Sequence, residues 1–233
     1  MNPQAPPRAA IVDYALGNLY SVAHACRQVG LAPEITSDRA AIAAADIVFL
    51  PGVGAFGDAM ANLRRLDLVA PLRDLAAAGR PLVGICLGMQ LMLGQSHEFG
   101  LHRGLDLVAG EVVRFDRPAG PRGPLKVPQV GWNRIHRPPS ADGDPWAATP
   151  LAGTAEGQYM YFVHSFYAKP TEPGVALAVS RYGDVQFCSA LRRGNLYAFQ
   201  FHPERSAAHG LAIYARLAKL ARQAGSAASG PEA

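Results

Sequence analysis

Apolar runs and helix-spaced apolar positions alternate along the first hundred residues. Ala9 to Val12 is a short apolar block between polar flanks and predicts a buried strand. Gly17 to Val29 repeats at helical spacing and stops at Gly30, a common helix terminator. Pro33 to Thr36 and Asp46 to Leu50 predict further strands. A helical region from Asp58 to Ala78 follows, interrupted near Pro71 and closed by Gly79. Leu82 to Ile85 predicts a fourth strand and Leu87 to Leu93 the next helix. This order predicts an α/β fold: an open, mostly parallel sheet with helices on both faces and a site at the strands' C-terminal ends. From Leu105 to Leu191 the pattern becomes short strands with turns, at Glu111 to Phe115, Met160 to His164, Ala176 to Arg181 and Val185 to Ala190. That block predicts an antiparallel extension on one side of the sheet. Asn195 to Phe201 reads as a last strand and Ser206 to Ala221 as a last helix, with loop-rich inserts at Arg117 to Pro124 and Arg137 to Pro150. One domain spanning 9–223 is expected, with a flexible arm at 1–8 and a disordered tail at 224–233.

Composition narrows the class. The chain has 233 residues and a net charge of +4. No apolar run approaches the roughly 18 residues of a membrane span, and the polar, proline-rich start has no apolar signal core. A cytoplasmic protein without membrane contact is the expectation. Three scattered cysteines, Cys26, Cys86 and Cys188, argue against a disulfide framework, and no spaced His/Cys cluster calls for a metal or other cofactor. Cys26 and Cys188 fall in regular elements and are expected to be small core residues. The basic residues Arg114, Arg117, Arg122, Lys126, Arg134 and Arg137 alternate with prolines and glycines rather than stacking aromatics. That favours a solvated loop region over a nucleic-acid surface, and part of it is a candidate partner face.

The chemistry concentrates in two places. Gly84-Ile85-Cys86-Leu87-Gly88 puts a cysteine on the tight turn between a strand and a helix. Flanking glycines relieve the crowding of such a turn, which holds its nucleophile in a strained, exposed position at a helix N-terminus. A thiol needs a base, and the base needs a carboxylate to fix its tautomer. His202-Pro203-Glu204, more than a hundred residues later at the end of a strand, supplies both on one side of an extended segment.

These residues carry a resemblance. Gly84-Ile85-Cys86-Leu87-Gly88-Met89-Gln90 together with Gln200-Phe201-His202-Pro203-Glu204 resembles the class I, triad-type glutamine amidotransferases, whose fold is flavodoxin-like. Pro51-Gly52-Val53-Gly54-Ala55-Phe56, Lys126-Val127-Pro128-Gln129-Val130-Gly131-Trp132-Asn133 and Tyr161-Phe162-Val163-His164-Ser165-Phe166-Tyr167 look like the glutaminase subunits of imidazole glycerol phosphate synthase. The likeness runs from about Ile11 to Ala221.

The resemblance implies hydrolysis of glutamine to glutamate and ammonia through a thioester on Cys86, with His202 as base and acid and Glu204 as its orienting carboxylate. The elbow reserves oxyanion donors at Leu87 and in the loop of Gly52, Val53 and Gly54, each such donor being worth about 3–4 kcal/mol of barrier. By resemblance Gln90, Glu98 and the backbone near His164, Ser165 and Phe166 hold the amino acid end of glutamine, and Gly52 belongs with them. His97 stands where the family often has another acid. The chain contains no nucleotide motif and no second catalytic constellation, so it looks like half an enzyme. The resemblance supplies the other half, a (β/α)8-barrel cyclase in a heterodimer of histidine biosynthesis, with Asn18, Lys126, Trp132 and Arg205 at or near the interface. Arg205 departs from the lysine usual after H-P-E. Two other readings share these residues: the glutaminase of another synthase, and a cysteine hydrolase or redox protein of the same fold. The H-P-E segment and Gln90 weigh against the second. The pyridoxal phosphate synthase glutaminases typically carry G-G-E-S-T where this chain has Gly52 to Phe56.

Overall fold

The structure, a computed structural model, describes residues 5–139 and 143–228. The first half alternates as its pattern requires: β1 (Arg8–Val12), α1 (Leu19–Gln28), β2 (Ala32–Thr36), α2 (Arg39–Ala44) and β3 (Ile47–Gly52). Next come α3 (Phe56–Arg65), α4 (Val69–Ala77), β4 (Leu82–Cys86) and α5 (Leu87–Leu91). The long helical region breaks at Leu66 to Leu68, not near Pro71. Asp67 takes a left-handed φ of 53° while the Leu68 N–H reaches back to the Leu63 carbonyl at 2.9 Å, a Schellman ending without glycine. Pro71 sits in the first turn of α4, where its missing N–H leaves no intrahelical bond unmade.

The second half is strand-rich: β5 (Leu93–Ser96), β6 (His102–Arg103), β7 (Val108–Arg114), β8 (Ala119–Gly120), β9 (Gly123–Pro124), β10 (Gln129–Ile135) and β11 (Gln158–His164). Then follow β12 (Phe166–Pro170), β13 (Ala176–Tyr182), β14 (Val185–Arg193), β15 (Leu196–Phe199), a 3-10 turn (Pro203–Arg205) and α6 (Ala207–Ala228). Helical backbone continues to Ala228, so residues 224–228 are not the expected tail, and Arg8 belongs to β1 rather than to an arm. Residues 1–4 and 229–233 lie outside the described residues.

The main sheet has the order β13-β14-β15-β4-β3-β1-β2. Its five strands from β15 to β2 run parallel, while β13 and β14 add an antiparallel edge. The predicted extension is thus right for β13 and β14 but not for the rest of the middle block. β7 pairs with β12 and β5 in a separate four-stranded sheet that also holds β6, and β11 pairs with β10 alone. The reason is β5: the chain leaves helix after Leu91, and Leu93 pairs in parallel with Val108. Gly94-Gln95-Ser96 has no apolar alternation to announce a strand.

Both faces of the parallel strands are buried, which explains why they read as unbroken apolar runs. Ala9 and Ile11 of β1 point into a core shared with α1 and α6. Ala10 and Val12 point into a second core with α2, α3, α4 and α5. The two-residue period of a strand is what divides them.

The tightest constraint lies where α5 meets the sheet. A Cβ on Gly88 would enter the van der Waals shell of the Leu50 carbonyl oxygen in β3, and one on Gly84 would lie 2.9 Å from the Gly88 carbonyl carbon. Neither neighbour is a flexible side chain, so neither can give way. Gly88→Ala is expected to destabilise by more than about 4 kcal/mol, the range of overpacked cores and strained backbone. A denaturant titration checks it, and an unchanged midpoint would contradict the close approach.

Candidate active site

Cys86 ends β4 with φ 53° and ψ −108°, a conformation that non-glycine residues adopt only at about 1–3 kcal/mol of strain. The strain matches the elbow, but the expected exposure does not: Cys86 is buried, on the wall of a cavity. The parallel pairing of Gly52 with Cys86 brings the end of β3 alongside, and β15 flanks β4 on the other side. His202 lies just beyond β15. Two adjacent strand ends therefore carry the nucleophile candidate and the base candidate.

His202 and Glu204 face each other across the 3-10 turn rather than along an extended segment, with Nδ1 2.8 Å from Oε1 and both side chains buried. A carboxylate only accepts, so Nδ1 carries the proton and Nε2 is left to face Cys86. Burial alone would push the imidazole's pKa down. The Cys86 sulfur and, after it, Glu204 together outweigh burial, and His202 is held up to about 10. No protein atom completes a hydrogen bond to Nε2. The sulfur itself lies 3.8 Å from the Val163 carbonyl and 3.7 Å from the Gln200 amide nitrogen. The sulfur thus raises the imidazole chiefly by charge. The field of a helix end typically offers about 0.3–1 kcal/mol, and α5 has only five residues.

A second imidazole shows the opposite balance. His164 is buried among the rings of Phe115, Phe162 and Phe187. Its Nδ1 donates to the Phe166 carbonyl at 2.8 Å. Desolvation pushes it down to about 4, so it stays neutral and is no base for Cys86.

The cavity of about 250 Å³ beside Cys86 is lined by Val53, Gly54, Leu87, Gln90, Glu98, His164, Ser165 and Phe166, with Pro128 and Val163. Volumes near 150 Å³ already admit a benzene-sized ligand. Gly52 is not on that wall: a Cβ there would run into the Tyr14 hydroxyl and Leu87. Tyr14 donates to the Pro51 carbonyl at 2.7 Å, anchoring the loop in which Gly54 takes φ 108°. Glu98 accepts the Phe56 N–H at 2.7 Å, at the start of α3. His97 turns instead to Glu111, 2.8 Å away, and stays outside the cavity.

Of the candidate interface residues, Trp132 is 53% exposed and meets Tyr161 edge-on at 6.0 Å, while Arg205 lies 4.6 Å above the same ring. Trp132 is no core aromatic; Trp146 fills that role. Asn18 precedes α1 and accepts from Ser21, and Lys126 is exposed on the approach to β10. Sequence reasoning missed Tyr14, Pro128, Val163 and above all Gln200. The available signal for Gln200 was an uncharged amide inside the apolar run Leu196 to Phe201. Cys26 and Cys188 are buried, as expected, with thiols pushed up to about 12 by desolvation. Among the described residues no group of acidic, histidine or cysteine side chains could hold a metal, and no helix is long and apolar enough to cross a membrane.

The family described as "Glutamine amidotransferase class-I" matches residues 10–217. A protein of Rhodopirellula baltica named imidazole glycerol phosphate synthase subunit HisH is 46% identical, over 89% of this chain and 95% of its own. Proteins of the same name from Geobacter metallireducens (47% identical, 88% and 94% covered) and Moorella thermoacetica (46% identical, 94% and 97% covered) are equally similar. Among solved structures, PurLQS from Thermotoga maritima has a TM-score of 0.68 at 17% identity, covering 92% of this chain and 98% of that one. The glutaminase domain of Trypanosoma brucei CTPS, solved with bound acivicin, reaches 0.62 at 17%, covering 93% and 94%. At such identities the structural likeness speaks to the fold.

The His164 environment gives a pH signature. A histidine whose folded pKa is depressed binds its proton more readily when unfolded, so its contribution is full above about pH 6.5 and is lost as pH falls towards 4. At pH 5 the loss amounts to about 2 kcal/mol. Comparing unfolding free energies at pH 7.5 and 5, His164→Phe should lose about that much less than the parent chain. Equal losses would show that the ring is solvated.

Proposed function

The chain belongs to the class-I glutamine amidotransferase family, and we propose that it is the glutaminase subunit of an imidazole glycerol phosphate synthase in histidine biosynthesis. The observation that carries this is the convergence of Cys86 with a buried His202–Glu204 pair beside a cavity. The names of its HisH relatives select the synthase and weigh against a redox protein of the same fold.

His202, its imidazole raised to about 10 beside the Cys86 sulfur and Glu204, takes the thiol proton. The thiolate attacks the side-chain amide carbon of glutamine, and the carbonyl pair moves onto oxygen. Backbone N–H groups of Leu87 and of the Val53–Gly54 loop meet that oxyanion; the positive φ of Gly54 supports a loop able to turn an amide inward. His202 gives its Nε2 proton to the amide nitrogen, because an amide anion cannot leave unprotonated, and ammonia departs from a γ-glutamyl thioester. Neutral His202 then draws a proton from water, which adds to the thioester carbon. Glutamate leaves as the sulfur returns to thiolate. Glu204 holds the tautomer throughout.

Gln90 and Glu98 present acceptors to the substrate's ammonium, and the backbone of His164 to Phe166 borders its carboxylate. Ammonia released into water at neutral pH is mostly protonated and unreactive, so the product passes through a closed route to a second subunit. That partner is a (β/α)8-barrel cyclase forming a cytoplasmic heterodimer, which spends the ammonia in making imidazole glycerol phosphate. The exposed Val130, Trp132 and Tyr159, with Arg205 over Tyr161, support a docking face there, and Asn18 and Lys126 complete it.

Cys86→Ala is expected to abolish glutamate release, measured with the cyclase and its nucleotide ligand present. Substantial turnover by that variant would overturn the assignment. Without the cyclase the parent chain should be nearly inactive; steady, partner-independent turnover would favour a different amidotransferase. Trp132→Ala should weaken association by about 2 kcal/mol, roughly thirtyfold in Kd by calorimetry, as expected of an aromatic anchor.

A further inference from the structure

Gln200 is wholly buried in the otherwise apolar run that delivers His202. A carboxamide in such surroundings is tolerated only if its donors and acceptor are used. Its Oε1 accepts from Gln90 Nε2 at 3.1 Å, and its Nε2 points at the Cys86 sulfur at 3.7 Å.

This orientation is imposed from a distance. The Phe166 carbonyl can only accept, so Gln90 must turn its amide nitrogen towards it, at 2.8 Å. The second hydrogen on that nitrogen goes to Gln200, which has to answer with oxygen. The Gln200 NH2 is thereby aimed at sulfur. With both amide hydrogens committed, Gln90 has only its own Oε1 to offer a ligand, and that is an acceptor suited to an ammonium. The sulfur lies between opposite influences: the Val163 carbonyl favours S–H, whereas the Gln200 N–H favours the anion.

We propose that Gln200 is a positioning residue that holds the Cys86 sulfur in its anionic form and locks it to the same hydrogen-bond chain that orients Gln90 for the substrate. The inference rests on Cys86 being the nucleophile and adds to it a neutral donor. Unlike His202, this donor keeps its hydrogens at every step of the cycle.

The titratable groups facing the sulfur are His202 beyond β15, with Glu204 behind it, Tyr14 beside the loop after β3, and Glu98 and His164 on the cavity wall. Tyr14 is raised far above its ordinary range, chiefly by burial, and His164 is lowered to about 4, so both stay neutral in the working range.

The test follows alkylation of Cys86 by iodoacetamide against pH, read by mass spectrometry in the full chain. Cys26 and Cys188, buried and with thiols at about 12, remain silent. Gln200→Met removes the donor and the acceptor. Gln200→Glu keeps an acceptor for Gln90 but sets oxygen against sulfur. The alkylation midpoint should rise by about one pH unit in the first, a tenfold slower reaction on the acid side, and further in the second. In complex with the cyclase, KM for glutamine should rise in Gln200→Met but little in Gln200→Glu, since only the first releases Gln90. A measurement on the unsubstituted chain guards against misfolded variants: the side-chain 15N–H resonances of Gln200 should shift with the same midpoint as the alkylation. Folded variants with the parent profile, or Gln200 resonances indifferent to that midpoint, would overturn the proposal. A Cys86→Ala chain that still hydrolyses glutamine would instead overturn the nucleophile assignment on which it builds.

Discussion

The contact between α5 and the end of β3 governs the chemistry of this protein. Gly88 lies against the Leu50 carbonyl and Gly84 against the Gly88 backbone, with no room for a methyl group at either position. That approach forces the chain to reverse within one residue, and the residue at the reversal is Cys86, held at positive φ. Its sulfur is therefore delivered by backbone geometry instead of side-chain choice. The cavity, the loop of Val53 and Gly54 and the first N–H of α5 all take their places from the same turn. Packing two backbones this closely is possible because the parallel strands are buried on both faces and cannot slide without exposing apolar surface.

Around that turn, burial and charge act on two imidazoles with opposite results. His164 has rings on several sides and a single carbonyl partner, so desolvation wins and it stays neutral. His202 is equally short of water but faces the Cys86 sulfur and a carboxylate, and these neighbours together win. The difference is one of neighbours rather than depth. It leaves one histidine neutral in the cavity wall and the other raised to about 10 within the same small volume.

How far the sequence revealed this depended on the kind of signal. Apolar blocks at Ala9 to Val12, Asp46 to Leu50 and Leu82 to Ile85 are bounded on both sides, and each became a parallel strand within a residue or two. The elbow and H-P-E were legible because their chemistry needs particular residue types at fixed spacing. The strand β5 was not, since Leu93-Gly94-Gln95-Ser96 takes its pairing from β7 and β6 and not from its own pattern. The break at Asp67 was hidden because an aspartate occupies the left-handed position usually marked by glycine, while Pro71 is harmless in a first turn. The need for glycine at position 52 was hidden for a related reason, since it leaves room for the Tyr14 hydroxyl and Leu87. Gln200 stood inside a motif already singled out, yet its role exists only through contacts from two other elements.

β4 and β15 are hydrogen-bonded neighbours, with Phe199 opposite Ile85, although Gln200 and Cys86 are 114 positions apart. On the ribosome Cys86 emerges long before Gln200 and His202 have been made. Parallel pairings between such distant segments close late, because loop entropy opposes them until the intervening chain has folded. Until β15 docks, Cys86 has neither Gln200 nor His202 beside it. The surroundings of that sulfur are therefore assembled only by completion of the fold.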